Sequence, residues 1–366
     1  MNYKVPQLEP YVGKEEIANL TKVIKNKWLT EGPFCKEFVE LIQKKTGAKY
    51  ACLVNNGTLG LYLGLKALGV KEGDEVILPD CTFNATGSSI AFTGAKPVFV
   101  DVYDYSWNID PNKIEQYITE KTKVIIPVHV YGQSANMDMI MEIAKKYNLK
   151  VLEDAAQGFG VYFDGKHTGT IGDIGLISFF ADKTITTGEG GILLTNNEEL
   201  YKKIKMLRNQ GRENSGVFIH PELGMNFRLT DLQAAVGVAQ IKKFDKILKK
   251  KTENYNLYKK LLTGVEEVQF LMIPPWSNFV PFRANIKAWD AERLLNYLED
   301  NVIQTRRVFY PLHLQPCYRQ WKYNDASYPE SKKAYAEGLS LPVFYNLTKE
   351  QITYVCNKIK EFYKVK

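Results

Sequence analysis

The sequence predicts an α/β protein with a large, doubly wound, mostly parallel sheet, followed by a smaller α+β domain. Three observations predict it. Short β-rich runs alternate with helical stretches from about residue 49 to residue 195; those runs are continuously apolar; and the texture changes beyond about residue 246. The runs lie at 51–54, 75–78, 97–100, 124–127, 151–152, 174–180 and 191–195, with helix candidates at 58–68, 84–92 and 137–147 between them. Strands buried on both faces read as unbroken apolar runs, and alternation with helices implies parallel crossover units. Past residue 246 a basic helix precedes two extended stretches, 265–273 and 279–286, then helix candidates at 288–299 and 348–363. The expected division is a large domain over 1–245 and a small C-terminal domain over 246–366.

The bulk properties narrow the function classes. At 366 residues the chain has the length for two domains, using roughly 150 residues per domain. Its 45% hydrophobic and 24% charged residues are ordinary for a globular protein. Five cysteines (Cys35, Cys52, Cys81, Cys317 and Cys356) are scattered without paired spacing. That argues against a disulfide framework or a thiolate metal site and for a reducing compartment. The start, MNYKVPQLEP, lacks the charged-then-apolar layout of a signal peptide, and no apolar run approaches membrane-spanning length. A cytoplasmic protein without membrane contact is therefore expected, in which the sequons at Asn56, Asn84 and Asn346 are chance matches. The net charge of +7 is spread out. Its densest stretch, 242–260, interleaves lysines with Phe244, Ile247, Leu248, Tyr255 and Tyr258 at helical spacing, which reads as a solvated helix face. No nucleic-acid-binding module accompanies the lysines, and an anionic metabolite suits the charge equally well.

Ligands of parallel α/β sheets gather at the carboxyl ends of the strands, so the residues that follow each apolar run are the ones to read. The first group is Asn55-Asn56-Gly57-Thr58, a turn opening a helix. Glycine permits close backbone approach, and the free N–H groups of a helix start attract phosphate. Alone, it reads better as a capped helix. The second is Glu153-Asp154-Ala155-Ala156-Gln157, two carboxylates ending a buried strand. At least one needs a cationic partner to offset desolvation. A protonated pyridine nitrogen would serve, and so would a nearby Arg. The third is Ser178-Phe179-Phe180-Ala181-Asp182-Lys183, followed by Thr184 and a Gly188-Glu189-Gly190-Gly191 turn. Most lysines are surface solubilisers, but one closing a buried strand is unusual. Burial and nearby positive charge lower its pKa and free an amine able to form a Schiff base. The glycines do not make G-x-G-x-x-G, so a dinucleotide-binding reading fails. A phosphate cradle, a carboxylate for a ring nitrogen and a nucleophilic amine together are what pyridoxal 5'-phosphate (PLP) requires.

On these residues the chain resembles the DegT/DnrJ/EryC1/StrS family of PLP-dependent sugar aminotransferases. The likeness also rests on Glu9-Pro10-Tyr11, Trp28-Leu29-Thr30-Glu31-Gly32-Pro33, Pro127-Val128-His129-Val130-Tyr131-Gly132, Gly224-Met225-Asn226-Phe227-Arg228 and Phe309-Tyr310-Pro311-Leu312-His313. It covers nearly the whole chain. The resemblance implies fold type I, the aspartate-aminotransferase architecture. It implies that Lys183 holds the cofactor and shuttles protons once freed. Asp154 would keep the ring nitrogen protonated, Gln157 would bond the ring hydroxyl oxygen, and Phe83 would stack on the ring. Gly57, Thr58 and Ser178 would hold the phosphate, helped by Asn226 from a neighbouring subunit, so a homodimer with shared active sites is implied. The alternatives are core packing for Phe83 and a turn or helix cap for Asn226. The chain departs from the family pattern at Gly158-Phe159 and at Asp182. Relatives with histidine in place of the lysine are dehydratases; Lys183 favours transamination.

By resemblance, the amino donor is L-glutamate. The 309–316 run and the His129-Val130-Tyr131-Gly132 block look most like perosamine-synthase-type members. The acceptor would be a nucleotide-linked 4-keto-6-deoxy sugar aminated at C4, with GDP the leading nucleotide and a surface polysaccharide the end use. His313 and Arg212 are the candidate substrate contacts. Three alternatives stand beside this one: a 3-ketosugar aminotransferase or another PLP activity, a non-catalytic regulator on the same fold, and a basic nucleic-acid-binding module.

Overall fold

Each apolar run becomes a strand of one sheet in the computed structural model, which describes residues 3–214 and 216–365. Two amphipathic helices open the chain, α1 (Lys14–Asn26) and α2 (Pro33–Thr46). Then come β1 (Tyr50–Val54), α3 (Gly57–Ala67), β2 (Glu75–Pro79), α4 (Asn84–Ala91), β3 (Lys96–Val100) and β4 (Thr122–Ile125). They are followed by α5 (Met137–Lys146), β5 (Lys150–Asp154), a small hairpin of β6 (Tyr162–Phe163) and β7 (Lys166–His167), β8 (Ile174–Ser178), β9 (Gly191–Thr195) and α6 (Glu198–Arg208). A long helix, α7 (Asp231–Leu261), leads to β10 (Val268–Phe270), β11 (Ala284–Ala288), α8 (Ala291–Asp300), β12 (Arg306–Arg307), α9 (Pro329–Glu337), β13 (Gly338–Leu341) and α10 (Lys349–Tyr363).

The large sheet has seven strands in the order β1-β9-β8-β5-β4-β2-β3. Its neighbours pair in parallel except at β9, which runs antiparallel to both β1 and β8. The reversal lies in the β8–β9 connection, residues 179–190, which carries no crossover helix. A parallel return needs a crossover of a dozen or more residues, usually a helix, and this segment forms none. One face is covered by α3 and α6, around Leu61, Leu65, Leu152, Leu176 and Ile204. The other packs against α2 and α7, through Phe38, Ile42, Val238 and Phe244.

A second sheet is wholly antiparallel, in the order β10-β11-β13-β12, with α8 and α10 packed on it through Leu294, Leu298, Ile352 and Val355. The sequence signalled neither α1 and α2 nor β12 and β13, and of the stretch 265–273 only Val268–Phe270 is strand. The expected boundary at 245/246 falls inside α7, a continuous 31-residue helix with a Thr230–Gln233 capping box. The chain also crosses back in two places. Val5 packs with the small-sheet cluster, whereas Leu312, Tyr318 and Tyr328 pack under the large sheet. No helix among the described residues is long and apolar enough to cross a membrane.

Candidate active site

The end of β1 and the end of β8 meet. Asn56 caps α3, its Oδ1 accepting from Leu59 N–H at 2.9 Å. Gly57 and Thr58 then lie in the first turn, where backbone N–H groups have no intrahelical acceptor. A Cβ on Gly57 would stand 3.2 Å from both Cβ and Oγ of Ser178. A side chain there would have to push the β8 end back by a few tenths of an ångström. These three residues thus form one cradle of hydrogen-bond donors, of the kind that receives a phosphate.

At the end of β5 the two carboxylates diverge, because successive side chains on a strand point to opposite faces. Glu153 is fully buried and tied to the scaffold. It accepts from Gly169, Ile171 and Gly172 N–H, each at 2.7 Å, and from His129 Nε2 at 2.9 Å. His129 Nδ1 accepts from Ala135 N–H, which leaves the ring proton on Nε2 to be donated. Burial works against the charge of Glu153, but His129 and the backbone donors outweigh it and hold the carboxyl below its ordinary range.

Asp154 has a different setting. It too is buried, and Thr86 Oγ1 donates to its Oδ2 at 2.7 Å while Ala156 N–H donates to Oδ1 at 3.1 Å. Among the described residues it makes no ion pair, and burial pushes its carboxyl upward despite Thr86 and Ala156. A buried carboxylate with donors on both oxygens and no ion-pair partner among the described residues fits a protonated ring nitrogen. Beside it, Gln157 Oε1 accepts from Tyr131 N–H at 2.8 Å, which orients its amide nitrogen as a donor for another group. Tyr131 itself takes φ +54°, a left-handed conformation, and its buried ring stacks on Phe309 at 5.1 Å.

Lys183 stands between two cavities. One is lined by Gln157, Ser178, Lys183 and Phe282. The other shares Lys183 and Phe282 and is lined besides by Tyr11, Asp182, Lys251, Arg283 and Tyr345. The amine lies 3.3 Å from Asp182 Oδ1 and 4.7 Å over the Phe282 ring. Burial lowers its pKa, and Asp182 opposes the shift. Phe83 precedes α4 and is 60% exposed, its ring 6.1 Å from that of Phe309. Core packing is thereby excluded for Phe83, which leaves a ring face open to a stacking partner.

Three expected residues fall elsewhere. His313, expected to contact the substrate, has a buried side chain with Nδ1 2.7 Å from Asp80 Oδ2 and Nε2 3.1 Å from Asp325 Oδ1. Both ring nitrogens face carboxylates, and the ring stacks on Tyr328. Burial disfavours its charge, but the two aspartates outweigh it and raise its pKa. Arg212 bonds Asn209 Oδ1 at 3.3 Å and covers the Phe218 ring, lining neither cavity at Lys183. Asn226 is exposed, its Oδ1 accepting from Arg228 N–H. It sits in the same loop cluster as Arg212, because Asn209 also receives Arg228.

Sequence reasoning missed Thr86, Tyr131, Phe282 and Arg283. Thr86 lies one turn into the helix that follows β2, a strand-end position open to the rule that located the others. Arg283 comes from the small sheet, and no local signal marks it. Among the described residues no cluster of three or more His, Cys, Asp or Glu could hold a metal ion.

Residues 10–360 match the DegT/DnrJ/EryC1/StrS aminotransferase family. The chain is similar to the GDP-perosamine synthase of Escherichia coli O157:H7, 38% identical over 364 residues and 98% of each chain. It is also similar to that of Caulobacter vibrioides, 36% identical over 332 residues and 89% of each. Among solved structures, S. venezuelae DesV matches with a TM-score of 0.94 at 28% identity, covering 99% of each chain.

Proposed function

Because the chain belongs to the DegT/DnrJ/EryC1/StrS aminotransferase family and is a sugar aminotransferase, we propose that it uses PLP held by Lys183 to aminate C4 of a nucleotide-linked 4-keto-6-deoxy sugar. L-Glutamate is the amino donor. GDP-4-keto-6-deoxymannose is the leading acceptor and GDP-perosamine its product, supported by end-to-end similarity to two GDP-perosamine synthases. The observation that carries the cofactor assignment is Asp154, buried and doubly hydrogen-bonded yet in no ion pair among the described residues, on the same sheet edge as Lys183.

When bound, PLP supplies a carbonyl that condenses with amines and a cationic ring that draws electrons from the adjacent carbon. The chain's residues do the rest. Asp154, oriented by Thr86 and Ala156, holds the proton on the ring nitrogen. Gly57, Thr58 and Ser178 would anchor the phosphate, Gln157 would donate to the ring hydroxyl oxygen, and Phe83 would stack on the ring. Lys183 acts first as the nucleophilic amine and, once free, moves protons at the donor's α-carbon and at sugar C4.

A homodimer completes the site in this reading. Trp28, Leu29, Leu223 and Met225 are exposed large apolar side chains in or beside the loop that bears Asn226, Leu223 being 99% exposed. The two segments are joined by the Thr30–Thr230 bridge and the Arg228–Glu31 pair. Such a surface needs a cover, and a second copy would bring Asn226 to the partner's phosphate cradle. All five cysteines are free thiols, which suits the cytoplasm. The decisive experiment incubates the enzyme with L-glutamate and GDP-, dTDP- or UDP-linked 4-keto-6-deoxy sugars, and in parallel with their 3-keto isomers, and identifies the products. A C4-amino sugar from the GDP substrate is expected. Turnover of a 3-keto sugar alone would refute the assignment.

A further inference from the structure

On the reading that Lys183 carries the cofactor, we propose that Asp182, clamped by Arg283, is the dock for the Lys183 amine whenever that amine is free. Asp182 is thus a positioning residue of the reaction. Its two carboxylate oxygens face different partners. Oδ2 accepts from Arg283 Nη2 at 2.6 Å, while Oδ1 takes no hydrogen bond and lies 3.3 Å from Lys183 Nζ. The side chains of Asp182, Lys183 and Arg283 are only 14%, 16% and 8% exposed. A buried carboxylate oxygen without a donor is costly, and here a small approach by the amine would satisfy it. Lys183 N–H is also fixed, donating to Phe180 O at 3.0 Å, so the side chain swings from a rigid base.

The surroundings make this a two-position device. Lys183 lines both cavities, and Gln157 and Ser178 lie on one side while Asp182, Arg283 and Lys251 lie on the other. A buried ion pair is kept only where its geometry offsets desolvation. Arg283 takes one oxygen of Asp182 and leaves the other facing Lys183. The charged groups facing the amine are Asp182, Asp154, Arg283 and Lys251. The first two favour the protonated amine and Arg283 opposes it. Lys251 is itself pushed down to about 7 by burial and by Arg283.

The test uses the full chain freed of cofactor. The acylation rate of Lys183 by acetic anhydride is followed against pH by peptide mass spectrometry, which reports the free amine directly. Asp182→Asn should move the midpoint about one unit lower, a tenfold gain in unprotonated amine at fixed pH. Arg283→Gln should move it upward. The double variant should return close to the parent, and Arg283→Lys, which keeps the charge, should leave it in place. Unmoved midpoints, or shifts of both single variants in one direction, would overturn the proposal. Should Asp182→Asn fail to fold, the Arg283→Gln arm decides alone. Borohydride trapping of the loaded enzyme separates the underlying assumption. An adduct on Lys183 with unmoved midpoints rejects the dock only, whereas an adduct elsewhere rejects Lys183 as the cofactor lysine.

Discussion

The bond from Thr86 to Asp154 gives a test of the whole cofactor assignment through a residue that never touches the reacting atoms. Thr86 is fully buried, and its hydroxyl is one of only two donors to the Asp154 carboxylate. A hydrogen bond to a charged group is worth about 1.5–3 kcal/mol. At about 1.4 kcal/mol per pKa unit, Thr86→Val should raise the Asp154 carboxyl by about one to two units above its already elevated value. The sign follows from burial: the neutral acid gains, and the ionised form that must face a protonated ring nitrogen loses. Affinity for PLP should therefore be little changed well above the raised pKa and fall to about 10- to 100-fold below the parent's as pH drops through it. Valine matches threonine in shape, so packing changes little. The assay is the dissociation constant of PLP, from absorbance titration of the cofactor-free protein at several pH values. Thr86→Ser, which keeps the hydroxyl, should recover most of the affinity. Parent-like binding by Thr86→Val at every pH, or a loss that does not vary with pH, would refute the pairing of Asp154 with the ring.

Other expectations follow from the same geometry. Lys183→Ala should lose both the borohydride-trapped adduct and the glutamate half-reaction; retention of either would unseat Lys183. Gly57→Ala places a Cβ 3.2 Å from Ser178 and should weaken PLP binding by about tenfold or more, the equivalent of one lost charge-assisted bond. Its melting temperature should hardly change. Asp80→Asn removes one carboxylate from the buried His313 and should cost about 3–5 kcal/mol of stability, read by denaturant unfolding. The raised pKa of His313 means that its stabilisation is complete below the unfolded value of about 6.5. It is lost as pH rises through the folded value. Hydrogen exchange over residues 312–334, corrected for intrinsic rate, should accelerate on that rise; a flat profile contradicts the pinning role. If Asn226 serves the partner's site, mixing and reassembling Lys183→Ala with Asn226→Ala subunits should restore part of the activity neither has alone.

The parts of the fold legible in the sequence are those whose signal is local. Strands buried on both faces must be unbroken apolar runs, and all seven strands of the large sheet were marked that way. The small sheet was harder. Its strands β12 and β13 span only two and four residues, too short for a period to register. The helices α1 and α2 mix their apolar positions with many lysines and glutamates, which hides the stripe. The 245/246 boundary rested on a change of texture, yet α7 continues straight through it, since a helix can carry its apolar face from one layer to the next. His313 shows the limit of motif reasoning. Its block matches the family, but burial between Asp80 and Asp325 depends on segments more than two hundred residues apart and on a local return. Arg283 reaches Lys183 only through the packing of the small sheet against the 179–190 connection, and sequence distance conceals that.

The pair Glu153-Asp154 shows how one physical rule divides chemistry from support. In the sequence the two carboxylates are equivalent candidates. Strand alternation sends one to each face of β5, and the faces offer opposite things. Toward Glu153 stand three backbone N–H groups and the Nε2–H of His129. That charge is already paired, so it can hold the β5 end rigid but has nothing left to give a ligand. Toward Asp154 stand one hydroxyl and one N–H, enough to aim the carboxylate and too few to settle its charge. An exchange experiment follows: Glu153→Gln should act through stability, leaving the pH dependence of PLP binding unchanged. Asp154→Asn should do the reverse, keeping the fold while abolishing the pH-dependent part of binding. If the two variants exchange these phenotypes, the ring nitrogen has been assigned to the wrong side of the strand.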